Sequence, residues 1–162
     1  MSSSGLPPLV GEITDGSVVW ERLPDLDYEL LGYFLSCHLI IEHYINEYLK
    51  VCHPDLDWDA ARQTFSQKMA LLSKFKVSDR YDCIPPIKHL NSLRNKLSHD
   101  IEFKIEPEVL RPLTQYLSKV GGGKIEIPTE PKGILEEFTG MTCALFAGCI
   151  CMRAEITKST RT

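Results

Sequence analysis

The chain has 162 residues, of which 43% are hydrophobic and 25% are charged. This length fits one ordinary domain with a sizeable core, and this balance excludes a disordered chain. The formal net charge is −4 and the isoelectric point is near 5.7. Such a charge argues against a broad basic face for duplex DNA, but it leaves room for a local cleft that gathers a few cations.

Residues 1–23 read as an extended N-terminal arm punctuated by prolines and glycines. Its segment Val18-Val19-Trp20 is too brief for an assignment. A long helix is predicted from about Pro24 to Cys52, because Pro24 suits a first-turn position and acidic residues follow it. The apolar stripe of this helix is wide, which indicates burial on more than one side.

Four more helical patterns follow, joined by short connections. They cover about Trp58 to Phe75 after an Asp57 or Asp59 cap, the stretch that begins at Pro85-Pro86, about Glu106 to Val120, and about Gly133 to Thr157. The connector Lys124 to Pro131 contains Ile125-Glu126-Ile127, which alternates like a small strand. Together the patterns predict one all-α bundle domain over residues 24–157, with a frayed tail at 158–162.

The six cysteines are an even number, but a disulfide framework is not the favoured interpretation. The first five residues lack the basic and apolar regions of a secretory signal, and most of the cysteines fall in apolar helical runs. These features favour a reduced, cytoplasmic protein. The longest apolar run, Met141 to Met152, is shorter than the roughly twenty residues of a membrane span, so a buried helix and no membrane association are expected.

No metal or cofactor is expected from the sequence. Cys149 and Cys151 would point about 160° apart on a helix, whereas zinc needs convergent ligands. The run Gly121-Gly122-Gly123 is not followed by the Lys-Ser/Thr pair of a phosphate loop.

The third helical pattern ends in Leu93-Arg94-Asn95-Lys96-Leu97-Ser98-His99-Asp100, the one stretch with a constellation suited to catalysis. Its apolar face is formed by Ile87, Leu90, Leu93, Leu97 and Ile101. Arg94 lies at the edge of that face, and Asn95 and His99 are four residues apart, so their side chains can touch. Arg94 and His99, however, are about 140° apart on an ideal helix. They converge only if the helix loosens near Ser98 or if two copies of the chain meet.

These residue types suit cleavage of RNA phosphodiesters. A histidine can transfer a proton to or from an oxygen near neutral pH, and an arginine can bind the phosphate and stabilise developing charge. The RNA supplies its own 2′-hydroxyl as nucleophile, so no metal is needed. The alternative is structural: His99 caps helix carbonyls and Arg94 forms an ion pair.

Helix one carries His38 and Glu42 on an otherwise apolar row. Two polar groups four apart on such a row must be paired. They pair with each other, or Glu42 receives Arg94 from helix three. In the functional version of the second alternative, Glu42 orients Arg94.

Arg94-Asn95-Lys96-Leu97-Ser98-His99 resembles the motif of the HEPN superfamily, which consists of Arg, a polar residue, three to five further residues and then His. The segments 37–49 and 65–72 are similar to those of prokaryotic HEPN-like proteins, and residues 93–100 also resemble the mannitol operon repressor family. The resemblance covers about residues 25–120. It implies an up-and-down four-helix bundle, here with an additional C-terminal helix, that dimerises by bringing two motifs together.

In catalytic HEPN members the dimer cleft is a metal-independent ribonuclease site. By position, the resemblance implies that Arg94 binds phosphate, His99 transfers protons and Asn95 is the polar neighbour. The supporting role predicted for His38 and Glu42 comes from their place on helix one. HEPN toxins paired with nucleotidyltransferase antitoxins often have a tyrosine two residues after the histidine, where this chain has Ile101. Control by adenylylation there is therefore not supported.

The sequence hypothesis is a homodimeric endoribonuclease that acts on RNA as a toxin or defence component, with an antitoxin or regulatory protein as a further partner. The competing hypothesis is a non-catalytic interaction or transcription-regulatory module, in which Arg94 and His99 are dimer-interface residues. The complete Arg-Asn-x3-His set favours the enzyme, and the absence of a basic excess favours the module.

Overall fold

A computed structural model of the chain describes residues 8–22 and 26–159, with side chains as far as residue 156. Within these ranges there are six α-helices and one two-stranded antiparallel sheet, so the mainly α class is confirmed. Parts of the predicted arm and tail, and the predicted first helical residues Pro24 and Asp25, lie outside the described residues.

The N-terminal arm forms a β-hairpin of β1 (Leu9–Thr14) and β2 (Ser17–Glu21). Asp15 and Gly16 both have positive φ, as the tight turns that suit hairpins require. An irregularity in pairing between Val10 and Glu12 shifts the register by one residue. Every residue of both strands is exposed, so this hairpin contributes nothing to the core.

The two longest helices, α1 (Tyr28–Cys52) and the C-terminal helix α6 (Pro131–Ser159), lie against each other. The Asp27 carboxylate accepts a hydrogen bond from the Leu30 backbone N–H at 2.9 Å, and α1 begins at Tyr28, later than predicted. Both helices bury large side chains completely, namely Phe34, Ile41, Ile45, Leu135, Phe138 and Phe146. Each Å² of apolar surface that these side chains remove from water stabilises the fold by about 25 cal/mol.

The predicted single helix over Trp58 to Phe75 is wrong, because two short helices occupy this stretch. They are α2 (Trp58–Ala61), capped by Asp57 as expected, and α3 (Phe65–Leu71). Arg62 has φ 40° and ψ 46°, a left-handed conformation that ends α2. Thr64 and Gln67 then form a reciprocal capping box, which satisfies free N–H groups at the start of α3.

The helix with the Arg-Asn-x3-His motif, α4 (Ile84–His99), begins with prolines in its first turn, as expected. It buries Ile84, Ile87, Leu90 and Leu93. Ile101 was expected on the same apolar face, but it lies past the helix end and is exposed. The helix is further anchored by His89, whose Nε2 donates to the Val109 carbonyl at 2.7 Å.

The predicted helix from Glu106 to Val120 divides into a 3-10 turn (Pro107–Leu110) and α5 (Arg111–Gly121). Pro112 has no N–H, so it cannot donate to the Glu108 carbonyl in a continuous α-helix. The Arg111 N–H bonds that carbonyl with 3-10 spacing. At the other end Gly122 has φ 58°, and the Arg80 guanidinium donates to the Val120 carbonyl.

The small strand expected at Ile125-Glu126-Ile127 is absent from the described residues, because no neighbouring strand is there to pair with it. Ile125 instead packs against the Gly121 backbone, where an added Cβ would stand 3.0 Å from its side chain. The following helix α6 extends to Ser159, slightly beyond the predicted end.

Helix α6 is long and apolar enough over Pro131–Ile156 to cross a membrane by length and composition, with a mean hydropathy of 1.4 in its most apolar window. Its first half is packed on α1 and α5, whereas Met152 and Ile156 near its end are exposed. A core helix of a soluble protein meets the same criterion, so the expectation of no membrane association stays a prediction.

Candidate functional site

The motif helix α4 stays regular to its last residue, His99. The Asp100 backbone N–H donates to the Lys96 carbonyl at 2.8 Å, and the Ser98 hydroxyl donates to the Arg94 carbonyl at 3.0 Å. The helix therefore does not loosen near Ser98. Arg94 and His99 remain about 140° apart around the axis and about 7.5 Å apart along it.

Arg94 faces solvent and forms no ion pair with a carboxylate among the described residues. Its Nη1 donates a long hydrogen bond to Asn95 Oδ1 at 3.4 Å. The structural ion pair considered from sequence is thus not formed with any residue in 8–22 or 26–159. The guanidinium keeps most of its donors free for a ligand, and phosphate suits their forked geometry.

Asn95 and His99 are exposed on successive turns. Their side chains do not hydrogen bond each other, although the spacing allowed it, and the His99 ring has no hydrogen-bond partner within the described part of the chain. All three motif residues are therefore accessible, and they do not converge within one chain.

Next to Arg94, the His38 ring from α1 is buried and only 5% exposed. Its Nε2 lies 3.2 Å from Asn91 Oδ1 and, because that atom accepts, Nε2 donates. The ring also packs on Phe65 of α3, with centroids 4.6 Å apart. Burial lowers the pKa of His38, opposed by the Asn91 hydrogen bond and the Glu42 charge, while the positive charge of Arg94 lowers it further.

Glu42 pairs with Lys68 of α3, whose Nζ lies 2.6 Å from Glu42 Oε1. The sequence alternatives, Glu42 with His38 or with Arg94, are therefore both wrong as direct pairs. The reason is packing, since α3 lies against α1 at this level and brings the lysine over the carboxylate. Glu42 is close enough to His38 to influence its pKa, but it does not orient Arg94.

The charges of α4 are all of one sign. Lys88, Arg94 and Lys96 are its charged residues, and the helix contains no aspartate or glutamate. The facing helix α3 also has none and contributes Lys68, which neutralises Glu42. A chain with a net charge of −4 thus carries one locally cationic helix, on which Lys88 and Lys96 lie about 120° and 160° from Arg94 around the axis. Such local positive charge attracts anions over distances of about 8–10 Å at physiological salt.

Exposed apolar side chains lie on α1, the helix that contacts α4 through His38 and Asn91. Leu35 and Leu39, four residues apart on one face of the helix, are 40% and 64% exposed. Leu35 is one turn before His38, the residue that contacts α4. An exposed leucine pair beside a cluster of free polar groups is typical of a protein interface.

The described residues contain no group of three or more His, Cys, Asp or Glu side chains placed to bind a metal ion. The six cysteines are free thiols. Burial raises the pKa of Cys83 to about 12 and that of Cys143 to about 11, which makes both poor nucleophiles.

Sequence reasoning missed two residues of this region, Asn91 and Lys68. Asn91 is three residues before Arg94, and a polar residue between the buried Leu90 and Leu93 signals a partner on another helix. Lys68 directly precedes the buried Met69, and it too indicates a polar residue with a partner on another helix. In neither case does the sequence name the partner, which is far away along the chain.

No family model matches the chain, and no curated protein or solved structure matches it either.

Proposed function

We propose that the chain is a HEPN-like, metal-independent endoribonuclease of the cytoplasm, a toxin or defence component whose site forms in the cleft of a homodimer. The observation that carries this proposal is Arg94, a solvent-facing guanidinium with no carboxylate partner among the described residues. It lies on a helix that has only positive charges and ends in the exposed His99. The exposed guanidinium keeps forked donors available that suit a phosphate.

Cleavage of the RNA chain needs charge stabilisation at the phosphate and proton transfer, and the side chains of Arg94 and His99 suit these two tasks. The RNA 2′-oxygen forms a bond to the adjacent phosphorus, the bond from phosphorus to the 5′-oxygen breaks, and a 2′,3′-cyclic phosphate and a 5′-hydroxyl result. The proton of the 2′-hydroxyl leaves and one is delivered to the 5′-oxygen. Arg94 binds the non-bridging oxygens and stabilises their charge, while His99 transfers a proton.

Two chains are needed because α4 is regular. With about 140° between Arg94 and His99, one helix cannot direct both side chains to one phosphate. In a twofold dimer each site takes Arg94 from one protomer and His99 from its partner. The exposed Leu35 and Leu39 beside the motif supply apolar area for such an interface.

The test is an RNA-cleavage assay in the presence of EDTA, with wild type, Arg94→Ala and His99→Ala compared. We expect cleavage by the wild type only, with a loss of at least about 100-fold in each variant. Ser92→Ala is a matched control, since Ser92 is an exposed residue of α4 whose hydroxyl bonds only its own helix at His89. Cleavage by all of the variants, or by none of the proteins, would remove the catalytic assignment.

The second candidate is a non-catalytic interaction or regulatory module, and the net charge of −4 together with the exposed leucine pair favours it. In that case Arg94 and His99 hold the dimer together. Their alanine variants would then shift the monomer–dimer equilibrium in sedimentation, and the wild type would not cleave RNA.

A further inference from the structure

A shallow groove of about 220 Å³ runs between α3 and α4, one to two turns before Arg94. It is lined by Ser66, Met69, Ala70, Lys88 and Asn91. Ser66 and Ala70 are four apart on α3, and their small side chains leave the space open. Met69 is buried and provides an apolar wall.

Polar groups with unused hydrogen-bonding capacity surround this groove. Lys88 is exposed and forms no ion pair among the described residues. Asn91 accepts from His38 through Oδ1, and this leaves both N–H donors of its amide for another partner. The Ser66 hydroxyl adds a group that both donates and accepts.

The charges around the groove favour an anion. Neither α3 nor α4 contains a carboxylate, and Glu42, which lies close by on α1, is neutralised by Lys68 at 2.6 Å. Lys88 and Arg94 are six residues apart, which is about 9 Å along the axis of α4 and about 120° around it, with Asn91 midway between them, so a strand that contacts both must cross the helix obliquely. Two cations at this separation suit two phosphates of one extended strand rather than one isolated phosphate.

We propose that the groove binds a nucleotide of single-stranded RNA next to the phosphate held by Arg94. Lys88 contacts the flanking phosphate, and Asn91 and Ser66 hydrogen bond the sugar or base that lies against Met69. The volume of about 220 Å³ is below the roughly 300–1,000 Å³ of pockets that enclose drug-sized ligands, so the groove holds only part of the nucleotide, its sugar or its base, and the rest stays in solvent. This inference rests on the proposed function for its ligand class, but it assigns a binding subsite that the motif does not contain.

The test measures binding without cleavage. A short fluorescein-labelled 2′-O-methyl RNA lacks the nucleophile, and its affinity for the full chain is followed by anisotropy between 50 and 200 mM salt. In Lys88→Ala we expect weaker binding and a slope of log K against log salt that is smaller by about 0.7, the value for one phosphate contact on a single strand. Lys124→Ala, an exposed lysine in the connector after α5, is the matched control and leaves the slope unchanged.

A second variant distinguishes the contribution of the groove's shape from that of the Lys88 charge. Ala70 is exposed, so Ala70→Leu fits the fold, which thermal unfolding verifies, and it fills the groove. Binding weakens by severalfold with an unchanged salt slope. Wild-type affinity and slope in both variants would overturn the subsite even if the protein cleaves RNA. Lys88-dependent binding by a protein that does not cleave would instead overturn only the catalytic proposal, and absence of any binding would overturn the subsite.

Discussion

The dimer interface predicted beside the motif can be tested at Leu39, which is 64% exposed in the single chain. Complete burial of a leucine side chain contributes about 1.5–3 kcal/mol, so burial of the exposed part contributes about 1–2 kcal/mol. A twofold interface uses the residue twice, and the sum is about 2–4 kcal/mol per dimer. Since about 1.4 kcal/mol is tenfold in affinity, Leu39→Asp should raise the dimer dissociation constant by about 30-fold to 1,000-fold.

Sedimentation velocity over a range of concentrations measures this shift. Ile40→Asp is a matched control on the same helix, because Ile40 is also exposed but points about 100° away from Leu39. We expect the control to dimerise like the wild type. The reasoning is refuted if wild type is a monomer at micromolar concentration, or if both variants dissociate to the same extent.

Three further predictions concern the fold. Burial lowers the pKa of His38, so as the pH falls through about 6.5 the unfolded chain takes up a proton at this histidine before the folded chain does. The free energy of unfolding therefore decreases as the pH falls below that value, by at most about 1.4 kcal/mol per pH unit. In urea unfolding between pH 5 and 8, His38→Gln should flatten this dependence, and an unchanged dependence in the variant would contradict the effect of burial. Arg62→Gly should raise the free energy of unfolding by about 0.5–1 kcal/mol in the same assay. The reason is that relief of left-handed strain, about 1–2 kcal/mol, exceeds the entropy cost of glycine, and an unchanged or lower free energy of unfolding would contradict this explanation. Phe146→Ala should cost about 3–5 kcal/mol, because the buried ring stacks on Phe75 with centroids 4.8 Å apart, and a loss below 1 kcal/mol would contradict its core position.

Local signals in the sequence predicted the helices well where those signals are strong. The prolines at 85 and 86 located the start of α4, and Asp57 was identified as one of two candidate caps for α2. The break between α2 and α3 was readable in part, because Thr64-x-x-Gln67 is a capping-box sequence. The left-handed Arg62 was not, since an arginine there has no local preference for that conformation.

The candidate site was predictable only within one helix. Its motif residues lie on α4 as expected, but their partners depend on how the helices pack. His38 and Asn91 are 53 residues apart, and Glu42 and Lys68 are 26 apart. Periodicity shows that a polar residue on an apolar row needs a partner. It does not show which of several polar residues on other helices is brought within reach.

The measurement that tests the central claim most directly is complementation between two inactive variants. Arg94→Ala and His99→Ala are refolded together in equal amounts, so that half of the dimers are mixed. If each site takes Arg94 from one chain and His99 from the other, every mixed dimer has one intact site, and about one quarter of wild-type RNA cleavage returns. If wild type recovers its activity after the same treatment while the mixture stays as inactive as either variant alone, the two-chain site is contradicted.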